Sequence, residues 1–174
     1  MPTEEIIAKI VAKAKEFSAA LSGDRGVFLK LKEEHAEVTF LLHQVVKTTE
    51  QEIELRKRLF EAIRLRLLAH TKGEEKELYP ILAQDERTRR IVSDAYEAHK
   101  RIERMLDELQ ALPVSEPAWG ERLRALVEET EGHLRAEEHE LFPLAREVIG
   151  PERAREVEKR YSDAHLRELR LHGT

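Results

Sequence analysis

The sequence contains no cysteine, which excludes disulfides, thiolate zinc sites, iron–sulfur clusters and thiol nucleophiles. Asparagine is absent as well, and with abundant Arg and Glu the composition leans toward the thermophilic kind. Aromatic residues are scarce, at 5%. No apolar run approaches the roughly 20 residues of a membrane span, so no membrane partner is expected. Neither sign of charge prevails. Thirty Lys and Arg against 35 Asp and Glu leave a net charge of −5, and the two signs are interspersed, so nothing points to nucleic acid. The opening MPTEEIIAKI sets acids ahead of its apolar stretch, the reverse of a secretory signal, and a cytoplasmic protein is expected.

What is present is charge and leucine. Charged residues reach 37%, with long runs of Leu, Glu, Arg and Lys, the composition of an all-helical protein. The 174 residues suit one domain with a buried core that needs no covalent staple. Helical spacing runs almost end to end. A first helix is expected over Thr3 to Leu21, with Thr3 as its cap, broken by Ser22-Gly23-Asp24-Arg25-Gly26. Others are expected over Val27 to Val46, from Thr48 or Thr49 to Tyr79, over Asp85 to Leu112, and from Ala118 to Phe142 with a disturbance at Pro143. A short last helix from Glu152 to Leu171 follows Gly150-Pro151. The expected fold is all-α: an up-down-up-down four-helix bundle over residues 27–149, an N-terminal helix and linker over 1–26, and a C-terminal helical tail over 150–174. The N-terminal helix would cap the core or form a dimer contact, and the chain is expected as a monomer or homodimer.

Two segments repeat. His70-TKGE-EKELYP-Ile81 matches His133-LRAE-EHELFP-Leu144 without gaps at an offset of 63 residues, and His35 and His99 stand 64 apart. The unit is a helix carrying one His, a turn, and a helix carrying His-x-x-x-Glu. His99 and His133 each lie 17 residues from Glu116 in the Pro113–Pro117 turn, so antiparallel helices bring them to one level. His35 and His70 have their midpoint near Glu52, a poorer fit if the turn is at Thr48.

On a helix, positions i and i+4 lie about 40° apart. His70 and Glu74 can therefore reach one point, as can His133 and Glu137. Glu75 and Glu138, at i+5, turn about 140° away and are expected in solvent. The histidine faces are otherwise apolar: Ile63 and Leu67 precede His70, Leu126 and Thr130 precede His133, Leu31, Val38 and Leu42 accompany His35, and Tyr96, Ile102 and Leu106 accompany His99. A single histidine on such a face is ordinarily a partly buried core residue, and a single His-x-x-x-Glu is common in Glu-rich helices. Four matched histidines and two matched glutamates are a different matter. Two buried carboxylates at one level would be costly without cations between them. The candidate metal ligands are His35, His70, Glu74, His99, His133 and Glu137. Glu103, four residues after His99, is a further candidate, as an added ligand or as a hydrogen-bond partner of one. His43, His139, His165 and His172 lack the pattern and read as surface or packing residues. No Glu stands three residues before any His, so the Glu-x-x-His signature of ferritin-like bundles is absent. His139-Glu140 opens like a zincin motif, but Pro143 occupies the place of its second His.

The H…HxxxE…H…HxxxE pattern, with its ELYP and ELFP continuations, resembles the hemerythrin-like, HHE cation-binding family over about Val27 to Ile149. Oxygen-carrying members have a second His four residues after that of the third helix and end in HxxxxD. This chain has Glu103 and Glu137 instead, which sets it nearer the iron-handling and stress-response branch. Six inward ligands exceed what structural zinc needs and suit a pair of octahedral ions. Two iron ions, oxo- or hydroxo-bridged, are expected, with Mn or Zn as alternatives. The resemblance implies a centre that senses or reacts with oxygen, peroxide or nitric oxide. It equally allows an enzyme turning over peroxide or nitric oxide, or an iron donor for cluster repair. The plainest alternative is a structural bundle with adventitious metal.

Overall fold

The computed structural model describes residues 24–172, together with positions 5, 8, 9, 12 and 13, which are helical. Apart from those five positions, the expected helix from Thr3 to Leu21 lies outside the described residues. Apolar residues at three- and four-residue intervals build α1 (Val27–Val46), which buries Val27, Leu31, Val38, Leu42 and Val45. It is followed by α2 (Ile53–Glu77), a short α3 (Tyr79–Leu82), α4 (Glu86–Ala111) and α5 (Pro117–Ala136). A π-helical turn (Glu137–Leu141) then leads into α6 (Phe142–His172). Joined to their continuations, these form four helices, with no strand among the described residues. The molecule is an all-α helical bundle. No described helix is long and apolar enough to cross a membrane.

One boundary differs from expectation for a physical reason. α2 begins at Ile53 rather than at Thr48 or Thr49, because those threonines serve the turn. The Thr49 amide donates to Glu52 Oε2 at 2.8 Å. Buried Arg56 donates to the Thr48 carbonyl at 3.0 Å and to the Val114 carbonyl at 2.6 Å, joining two connections at one end of the bundle. The connection thus reaches Glu52, the sequence midpoint of His35 and His70, and removes the expected misfit. The C-terminal tail is the separate helix expected after Gly150-Pro151: within α6 the backbone leaves helical geometry at Gly150, whose φ of 68° favours glycine, and a second helical half continues to His172. Beyond the bend α6 packs along α2 and α1. Gly73 makes this approach close: a Cβ there would lie 2.7 Å from the Tyr161 ring.

The apolar core is divided in two. One cluster, including Leu41, Ile63, Leu106, Trp119 and Leu126, fills the end near the 47–52 and 112–116 connections. The other, including Phe28, Leu78, Tyr79, Phe142 and Tyr161, fills the opposite end. Each fully buried Leu or Phe stabilises the fold by about 1.5–3 kcal/mol. Between the two clusters lies a layer of buried His and Glu, and this layer is the site.

Candidate metal centre

His35 comes from α1, His70 and Glu74 from α2, His99 from α4, His133 from α5, and Glu137 from the π-helical turn. All six are buried. They form two overlapping groups, His35, His70, Glu74, Glu137 and Glu74, His99, His133, Glu137. Within each, one ligand atom per residue lies within 4.8 Å of the others. Glu74 and Glu137 belong to both. The structure therefore gathers every residue of the repeated pattern at one level, as antiparallel hairpins require. The rings of His35 and His70 lie 4.9 Å apart and those of His99 and His133 4.6 Å apart, each pair edge to face.

Local backbone sets the aim of the carboxylates. Pro143 has no amide to continue an α-helical ladder, and just ahead of it the helix widens, the Phe142 amide reaching back to the Glu137 carbonyl. In the first repeat the helix breaks at Leu78 instead, and Tyr79-Pro80 starts the short α3.

The outer face of the histidines fixes which nitrogen points inward. His35 Nδ1 donates to Glu138 Oε1 at 2.7 Å, His70 Nδ1 to Glu34 Oε2 at 3.0 Å, and His99 Nδ1 to Glu75 Oε1 at 3.0 Å. With the proton on Nδ1, each Nε2 presents a lone pair to the centre. Inside, His35 Nε2, His70 Nε2, Glu74 Oε1 and Glu137 Oε2 have no hydrogen-bond partner. His35 Nε2 and Glu137 Oε2 are 3.3 Å apart, as are His70 Nε2 and Glu74 Oε2, but without hydrogen-bond geometry. These atoms aim at shared points rather than at each other. Orphaned buried acceptors of this kind are costly, and a cation held by His35, His70, Glu74 and Glu137 would satisfy them. The donor set fits two ions.

Without metal the layer must hold protons. Burial opposes charge on His35, yet the carboxylates of Glu137, 3.3 Å away, and of Glu138, hydrogen-bonded to Nδ1, outweigh it and hold the imidazole up at about 10. His99 is likewise raised to about 9 by Glu74 and Glu75 against its burial. Burial, reinforced by the neighbouring Glu137 charge, lifts the Glu74 carboxyl above its usual range. His133 is pushed down to about 3, by burial and by the surrounding imidazoles.

Several features depart from the sequence reading. Glu75 and Glu138 are not merely solvated: each reaches across to the single histidine of the other hairpin. The i+5 direction that carries them off the centre carries them onto a neighbouring helix. Glu103 is not brought to the cluster. It ion-pairs with Lys72 at 2.7 Å, and Lys72 also pairs with Glu75 at 3.1 Å, so Glu103 stands three contacts away from His99. His165 is buried and lies 3.0 Å from Glu34 Oε1. Glu34 also accepts from Tyr161 of α6. Sequence offered no signal for this group, because it depends on where α6 docks. A groove of about 870 Å³ between α4 and α5 reaches His133 and Glu137, its inner walls formed by Ala95, Ala98, Gly132 and Ala136.

Fold and site together define a helical bundle built around a buried histidine–carboxylate centre suited to two cations. The sequence matches the hemerythrin HHE cation binding domain over residues 27–168, and the chain belongs to that family. Its fold is similar to the crystal structure of a hemerythrin HHE cation binding domain-containing protein from Mycobacterium kansasii. The TM-score is 0.74 at 21% identity, covering 85% of this chain and 90% of that one. No curated protein matches the sequence.

Proposed function

We propose that His35, His70, Glu74, His99, His133 and Glu137 hold two iron ions, and that the centre senses or reacts with oxygen, peroxide or nitric oxide. The observation that carries this reading is a pair of buried His–Glu groups that share both carboxylates, with His35 Nε2, His70 Nε2, Glu74 Oε1 and Glu137 Oε2 left without hydrogen-bond partners. Imidazole and carboxylate together suit iron better than calcium or magnesium, which prefer oxygen alone. When bound, a pair of irons supplies one-electron chemistry and positions for a small ligand. The chain's part is to hold the donors. Glu34, Glu75 and Glu138 orient three imidazoles, and the two apolar clusters exclude bulk water from both ends. The groove between α4 and α5, which reaches His133 and Glu137, offers a ligand its approach to the centre. A cytoplasmic setting belongs to the same reading.

Protein purified from iron-fed cells should contain iron. Its reduced form, mixed separately with oxygen, peroxide and nitric oxide, should change its near-ultraviolet and visible spectrum with at least one. An iron-loaded protein inert to all three would overturn the proposal.

A further inference from the structure

We infer that Tyr79 is a seventh metal ligand, its phenol oxygen completing the donor set of the ion held by His99, His133, Glu74 and Glu137. The inference rests on the two-metal reading above. The Tyr79 ring is fully buried. Its hydroxyl donates to Glu137 Oε1 and also lies 3.3 Å from Glu74 Oε2 and 3.2 Å from His99 Nε2. One O–H carries one proton and cannot serve three acceptors at once. A phenol that merely supported the site from outside would touch one ligand; this oxygen touches three.

The separations are those of neighbouring donors around one ion. Bonds of about 2.0–2.2 Å at right angles put adjacent donors about 3 Å apart. Around the Tyr79 oxygen, His99 Nε2 lies 2.9 Å from His133 Nε2 and 3.5 Å from Glu74 Oε2, and His133 Nε2 lies 3.5 Å from Glu137 Oε2. With its 3.2 and 3.3 Å contacts and its hydrogen bond to Glu137 Oε1, the Tyr79 oxygen adjoins three of the four residues of that group. Binding through oxygen exchanges the phenol proton for the metal, as metal sites generally release protons.

The oxygen is firmly placed. The break at Leu78 turns Tyr79 inward, its ring stacks on His99 with centroids 5.2 Å apart at 24°, and Tyr96 meets it edge-on at 5.2 Å. In the other half Phe142 stacks on His35 in the same way, at 5.7 Å and 23°, but carries no oxygen. The two ion positions are therefore inequivalent: five side-chain donors face one, four the other. Tyr161, the other fully buried tyrosine, contacts the outer nitrogen of His70 at 3.2 Å and is not aimed at an ion.

Visible absorption tests this. A phenolate bound to ferric iron absorbs in the visible, where histidine and carboxylate ligands alone contribute little. Ferric-loaded native protein should show such a band. Tyr79→Phe should lose it while keeping its helical circular dichroism and nearly all its iron; Tyr161→Phe should retain it. On the native chain, needing no variant, zinc added to metal-free protein should produce the ultraviolet difference band of an ionised tyrosine. Two bound irons without a visible band, or a band that survives Tyr79→Phe, would overturn the inference and leave the di-iron reading standing. A chain that takes up no iron would overturn both.

Discussion

In the hairpin that carries His70, Gly73 leaves room for Tyr161, and the second half of α6 lies over that side of the centre. In the hairpin that carries His133 the matching position is Ala136, and the same side is an open groove. Glu34 holds the outer nitrogen of His70, whereas Ala98 stands in its place beside His133. Toward the centre the two halves are nearly equivalent: one His, a His-x-x-x-Glu, a second Glu reaching across, and an aromatic ring stacked on the other half's histidine. The duplicated unit thus dictates the ligand geometry, and the differences are confined to what surrounds it. One side is closed by added chain; the other is left accessible to small molecules.

The sharpest way to break this near-symmetry is at the two residues that belong to both halves. Glu137→Ala or Glu74→Ala should cost most of both ions, measured as metal per chain after desalting. A variant that kept one ion tightly would show that the carboxylate serves a single half. Acidity should act on both halves together. In the metal-free chain His35 is held up at about 10 and His99 at about 9, so near neutral pH each carries a proton that metal must displace. Metal affinity should therefore rise from pH 6 to 8, by about tenfold per unit for each proton released. Competition titrations would detect it, and a flat profile would show that neither imidazole is protonated in the metal-free chain.

A smaller effect probes the crossed contacts. Glu75→Ala and Glu138→Ala should each weaken metal binding about 10- to 100-fold by freeing His99 or His35 to rotate. Glu103→Ala, two contacts further out, should change affinity much less. Equal losses for all three would mean that general acidity, not orientation, matters. The smallest effects test the covering layer. Gly73→Ala forces a methyl against the Tyr161 ring and should cost about 1–3 kcal/mol. Gly132→Ala, where a Cβ would meet nothing within 4 Å, should raise the melting temperature through helix propensity, by up to about 1 kcal/mol in stability. Similar melting shifts for the two would show that α6 is not packed tightly on α2.

The centre was far more legible in the sequence than its surroundings. His70, Glu74, His133 and Glu137 announce themselves through gapless repetition at helical spacing, and hairpin symmetry supplies His35 and His99. Glu75 and Glu138 were placed correctly off the centre, but their partners lie on another helix, which a single-helix argument does not reach. Tyr79 was visible only as the residue opposite Phe142; bringing its oxygen to the ligands takes the break at Leu78, which Pro80 marks without giving its direction. Glu34, Tyr161 and His165 depend on where the second half of α6 docks, a long-range event: Gly150-Pro151 marks the break without giving its direction. Glu103 shows the converse: it shares a helix face with His99, yet the nearby cation of Lys72 draws it outward.

The central claim, a paired-metal centre sharing two carboxylates, is tested most directly by titrating metal-free protein with ferrous iron in the absence of oxygen. The account predicts saturation at two equivalents per chain, falling to less than one tightly bound equivalent in Glu137→Ala. Saturation of the native chain at a single equivalent, unchanged by removing Glu137, would contradict it.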